Sequence, residues 1–129
     1  MSEERKTEIE TTVVKTREES RDEVFENLKN SLIAEKHLLG RFIEFSTECA
    51  HYQFDESDIN TEEAEEALRR ADKIRDKILT KIEAEHLYIF ENPETNPITN
   101  MISFDIDAKE YEYRAVLEVF EDSFDLTVK

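Results

Sequence analysis

The residues in this chain best suited to chemistry are two Glu-x-x-His pairs, Glu48 with His51 and Glu83 with His86. On a helix, that spacing stacks a carboxylate and an imidazole on one face, an arrangement that supplies metal ligands inside helical bundles. Chance accounts for much of it: 24 Glu and three His among 129 residues give about 0.6 such pairs at random, the ordinary caution with short motifs. Helical phase also counts against a shared site. Glu48 and His51 fall opposite the main apolar stripe of their segment, whereas His86 falls among Ile82 and Ile89. A carboxylate-histidine metal protein using Glu48, His51, Glu83 and His86 is therefore the alternative reading, and the leading one carries no metal and no cofactor.

Other constellations are thinner. Glu62, Glu63, Glu65 and Glu66 form a carboxylate cluster of the kind that holds magnesium in helical nucleotide pyrophosphohydrolases, but that chemistry needs a second acidic pair on a facing helix. None is evident, and acids in a first helical turn complement the helix dipole. Cys49 and His51 lie two positions apart, which on a helix points them about 200° apart, so they cannot act as nucleophile and base within that element. Arg69, Arg70 and Arg75 are too interleaved with acids to form a phosphate site. The single glycine, Gly40, excludes Gly-rich phosphate loops, the dinucleotide fingerprint and the nucleophile elbow. No catalytic residue is assigned, and the chain is read as a non-enzyme.

Charge is the stronger signal. The 17 Lys and Arg against 33 Asp and Glu leave a net charge of −16, which excludes direct nucleic-acid binding through phosphate neutralisation. Carboxylates gather at Glu18, Glu19, Asp22, Glu23 and Glu26, again at Glu62, Glu63, Glu65 and Glu66, and on the outward positions Asp105, Asp107, Glu112 and Glu118. Carboxylates can stand where phosphates would. The expectation is an acidic protein-interaction module, an inhibitor or adaptor that engages the basic, nucleic-acid-binding surface of a protein partner. Salt adaptation fits less well, because nine Lys are present and Glu outnumbers Asp by 24 to 9. The lone cysteine, Cys49, suits a reducing compartment, and no apolar run reaches the length of a membrane span, so a cytoplasmic protein without membrane contact is expected.

The elements that position these residues follow from periodicity. Residues 1–5 are expected to be disordered, and the alternation of Ile9, Thr11 and Val13 suggests a strand over 7–15. The spacing of Val24, Leu28, Leu32, Leu39 and Phe42 predicts a first helix over 19–53, with a second apolar stripe of Ala34, Leu38, Phe45, Cys49 and Tyr52. That second stripe faces either the sheet or a second subunit, and it underlies an expected homo-oligomer. Glu35 and Glu85 fall inside apolar arcs, where each must reach an edge or meet a cation. A capping-box pattern at Asn60 and Glu63 opens a second helix over 60–91, antiparallel to the first. The prolines and asparagines of 92–100 predict a linker. Alternation then predicts a meander over 101–129, three strands sharing one apolar face. The whole is a single α+β domain, 1–129: a two-helix hairpin on a three- or four-stranded antiparallel sheet in the order β-α-α-β-β-β, the first strand being open.

Overall fold

The computed structural model describes residues 15–129. The first helix, α1 (Arg17–Ala34), starts where the Thr16 hydroxyl accepts the Glu19 N–H at 3.1 Å, with Glu18 and Glu19 in the positive first turn. A second, α2 (Lys36–Phe54), follows after one residue, Glu35. The third, α3 (Thr61–His86), opens on the foreseen cap, Asn60 accepting the Glu63 N–H at 3.2 Å, and closes on Leu87 in the left-handed region with φ 59°. Four strands complete the chain: β1 (Ile89–Asn96), β2 (Met101–Asp107), β3 (Glu112–Val119) and β4 (Phe124–Val128). They pair in sequence order, each antiparallel to the next.

The architecture is the expected α+β arrangement, helices packed on an antiparallel sheet. Three boundaries differ. The helix read as continuous over 19–53 is broken at Glu35, whose N–H bonds to both Ser31 and Leu32 carbonyls, tightening the turn. The inward stripe of Val24, Leu28, Ser31 and Leu32 continues through position 35 to Leu38, Leu39 and Phe42. The helical assignment is thus interrupted where a carboxylate falls in line with the buried stripe. The second helix stops at His86, short of 91, because Leu87 takes a conformation that no helix can propagate.

The third difference is larger: much of the 92–100 linker is strand. Ile89–Asn96 forms an edge strand on β2, with a register shift between Glu91 and Glu94 that accommodates Asn92 at φ 52° and Pro93. Proline lacks an N–H and is tolerated only at an edge or bulge, and this segment offers both. The turn proper is confined to 97–100 and ends on Asn100 at φ 53°. Among the described residues, the fourth strand comes from 89–96. The expected strand over 7–15 lies outside the described residues apart from Lys15, which has no regular structure, and the expected disorder of 1–5 lies outside them altogether.

One buried cluster joins both layers. Val24, Leu28, Phe42, Ile78 and Ile82 of the helices meet Ile102, Phe104, Ile106, Ala115, Leu117 and Val119 of β2 and β3. A smaller cluster, Cys49 with Ala64 and Ala67, seals the far end of the α2–α3 hairpin. The alternation of buried and exposed positions along β2 and β3 hands every second side chain to the opposite face of the sheet.

Candidate interaction surface

Strand register determines what that opposite face carries. Residues directly across from one another share a face, so Glu91, Glu94, Asp105, Asp107, Glu112, Glu118 and Asp125 all stand on the side away from the core. Three of the cross-strand partnerships are carboxylate against carboxylate: Glu91 opposite Asp105, Asp107 opposite Glu112, and Glu118 opposite Asp125. Like charges so placed destabilise a sheet. Relief comes from Arg114, whose guanidinium reaches Asp105 at 2.8 Å and Glu94 at 3.7 Å and donates to the Ser103 hydroxyl at 3.2 Å. Lys129, paired across from Arg114, is the other cation on this face. The Asn92 amide donates to Asp105 at 2.9 Å, and together with Arg114 it holds that carboxyl below the ordinary aspartate range.

The expected acidic sites on the helices are also at the surface. Glu18, Asp22 and Glu26 recur every fourth residue along α1, and all are exposed. Glu23 pairs with Lys15, and Asp22 lies 3.8 Å from Arg21. Glu19 is engaged in the α1 cap. On α3, Glu62, Glu63 and Glu65 are exposed, whereas Glu66 accepts from Arg69 and Arg70, which lower its pKa. The structure therefore splits the foreseen helical carboxylates into free and neutralised ones, and it adds Glu91, Glu94 and Asp125 to the expected outward strand positions Asp105, Asp107, Glu112 and Glu118. Periodicity assigns Glu91 to the end of the second helix and Glu94 to the linker, and the short span of β4 hides Asp125.

The Glu-x-x-His residues are held apart. His51 is exposed at the end of α2, with Nε2 2.8 Å from Asp58 and Nδ1 3.3 Å from Asp55, and Glu48 stands one turn before it. His86 ends α3, and α2's C-terminal half packs on the opposite end of that helix through Cys49, Ala64 and Ala67. At 1.5 Å per residue, the intervening α3 puts about 30 Å between the two histidines. Glu83 is occupied by the Phe90 N–H at 2.6 Å, which ties the helix end to β1. No group of three or more metal-ligating side chains occurs among the described residues.

His86 belongs instead to a polar junction between α1 and α3. The buried Ser31 hydroxyl lies 2.5 Å from Glu85 and 2.8 Å from His86 Nε2. A ring N–H donating to Ser31 while Ser31 donates to Glu85 satisfies all three groups. Tyr88 stacks on His86 at 5.6 Å between centroids and accepts the Asn27 amide at 2.8 Å. Serine and carboxylate meet on the same imidazole nitrogen, and among the described residues no acid bonds to the opposite nitrogen, where a hydrolytic triad needs one. The two carboxylates read as falling in apolar arcs are both satisfied: Glu85 here, at the surface edge, and Glu35 by Lys81 at 3.4 Å.

Cys49 is buried, and burial followed by the charge of Asp72 raises its thiol pKa, the reverse of nucleophilic activation. The second apolar stripe of the first helical segment is covered in part within the chain, with Ala34 exposed and Phe45 and Tyr52 half-buried. Leu38 and Cys49 are buried, Tyr52 packs on Cys49, and the guanidinium groups of Arg41 and Arg70 lie over the Phe45 ring. Among the described residues, no helix is long and apolar enough to cross a membrane. No protein-family model, curated protein or solved structure matches this chain.

Proposed function

We propose that this protein is a non-enzymatic interaction module whose acidic sheet face engages a basic protein surface of the kind that binds nucleic acid, as an inhibitor or adaptor. The observation that carries this reading is the stacking of Glu91–Asp105, Asp107–Glu112 and Glu118–Asp125 as like-charge cross-strand pairs. Such pairs work against folding, and sequences depart from local stability rules chiefly where function requires it. A cationic partner would relieve the repulsion on binding. The exposed α1 stripe of Glu18, Asp22 and Glu26 adds long-range attraction that speeds encounter.

The experiment compares the native chain with a Asp107→Lys, Glu118→Lys, Asp125→Lys variant as baits for purified cationic nucleic-acid-binding domains. Raising salt from roughly 0.1 to 1 M shortens the screening length from about 10 to 3 Å. Binding by the native chain is expected to fall steeply over that range, and the variant is expected not to bind at the lower salt. Retention that ignores both salt and charge reversal counts against an electrostatic interface.

A further inference from the structure

The two edges of the sheet are not alike. On β1 the edge is interrupted by Pro93, by the left-handed Asn92 and by a register shift, devices that keep an edge from pairing with another chain. On β4 the register runs without interruption from Phe124 to Val128, with no proline and no bulge. Hydrogen bonds pair Arg114 with Lys129 and Phe120 with Ser123. Alternation then turns the N–H and C=O groups of Phe124, Leu126 and Val128 away from β3. Among the described residues, no backbone group bonds to them.

Beside that edge lies an apolar cleft of about 500 Å³ between α1 and the β3–β4 hairpin, floored by Phe25, Leu32, Phe124 and Leu126. Ile33 and Phe120, both exposed, stand at its mouth. Its helix lip carries Lys29 and Lys36, and its hairpin lip carries Glu121 and Asp122. A strand laid against β4 would send alternate side chains to the two faces of the sheet. On the inner face they would enter the cleft, whose floor of Phe25, Leu32, Phe124 and Leu126 favours apolar groups. On the outer face they would stand beside Asp125, next to Glu118.

We propose that β4 is a strand-addition site for an extended partner segment in which apolar residues alternate with Lys or Arg. This rests on the acidic-surface reading and gives the partner its local form. Charge separates this occupant from the others. A second copy of the chain would lay its own Asp125 and Glu118 on the same acidic face. Residues 7–14 would bring Glu8 and Glu10 in alternation with Ile9, Thr11 and Val13.

The test is a titration of the native protein with the capped peptide Lys-Val-Arg-Ile-Lys-Val-Arg-Ile-Lys, followed by amide hydrogen exchange. Exchange at Phe124, Leu126 and Val128 is expected to be fast in the free protein and to slow at least tenfold, roughly the effect of one net hydrogen bond, when the peptide binds. Because Leu126→Pro would also remove a core-facing side chain, the edge is blocked instead by N-methyl-Leu126, installed by semisynthesis, which is expected to weaken binding by about tenfold or more. A peptide with Glu replacing Lys and Arg is expected not to bind. Salt-sensitive binding that leaves the three amides unprotected overturns strand addition while the acidic-surface reading stands. Slow exchange at those amides in the free protein, whether from a dimer or relieved by removing residues 1–14, assigns the edge to the chain itself and overturns the proposal. Failure of every cationic probe to bind removes both readings.

Discussion

Asp105 concentrates the conflict of the acidic face in one side chain. It stands opposite Glu91 on one neighbouring strand and Arg114 on the other, and the Asn92 amide followed by the Arg114 guanidinium lowers its pKa. A carboxyl depressed in the folded state contributes stability above its unfolded pKa and loses it as pH falls through the folded one. Arg114→Gln is therefore expected to raise the Asp105 pKa, read by carbon-detected NMR titration. It should also lower the urea midpoint at pH near 7 by more than at a pH low enough to protonate the carboxyl in both proteins. A deficit of equal size at the two pH values would mean that Arg114 acts through packing alone. The exposure of Asp105 was legible from the alternation of Ile102, Phe104 and Ile106 around it. Its partner Asn92 was not, because an Asn-Pro pair in isolation signals a turn, and only the neighbouring β2 reveals that the same residues form a bulged edge.

At the scale of elements, the residues that punctuate the chain explain both what sequence reading reached and what it missed. The Asn60 cap, the α3 stripe and the three strands after position 100 are written in local chemistry, so their types follow from periods of 3.6 and 2. The break at Glu35 and the stop at Leu87 have no glycine or proline to announce them. Leu87 adopts φ 59° and is 72% exposed, so it bears a left-handed conformation with little burial in return. Glycine would remove the Cβ clash, partly offset by its greater freedom when unfolded. Leu87→Gly is thus expected to stabilise the protein by about 0.5–1 kcal/mol in urea melts, with Leu87→Asn gaining less and Leu87→Val losing. A destabilised glycine variant would show that the leucine side chain holds the helix end after all. The same logic bears on the candidate site, since α3 must end at His86 for Glu83 to accept the Phe90 N–H and set β1 on its course along Asp105.

Across the whole molecule, a net charge of −16 on 129 residues acts on folding and on binding with opposite sign. Within the chain, like-charge pairs on the sheet and the free acids of α1 and α3 repel one another, and the ion pairs present are mostly surface contacts of small individual worth. Screening therefore removes a net repulsion. Sodium chloride raised from about 0.01 to 0.15 M, shortening the screening length from about 30 to 8 Å, is expected to raise the urea midpoint. Urea is the right denaturant here because, unlike guanidinium, it adds no ions. Over the same range the affinity for a cationic partner is expected to fall, because there the screened interaction is attractive. The Asp107→Lys, Glu118→Lys, Asp125→Lys variant connects the two responses. It turns the Asp107–Glu112 repulsion into an attraction and cuts the net charge by six, whereas the Glu118–Asp125 position becomes a pair of lysines that still repel, so through its lower charge it should start with a higher midpoint and gain less from salt, while losing the partner. If the variant instead unfolds more easily than the native chain, the outer carboxylates are supporting the sheet, and the inference that they are kept for a partner loses its basis.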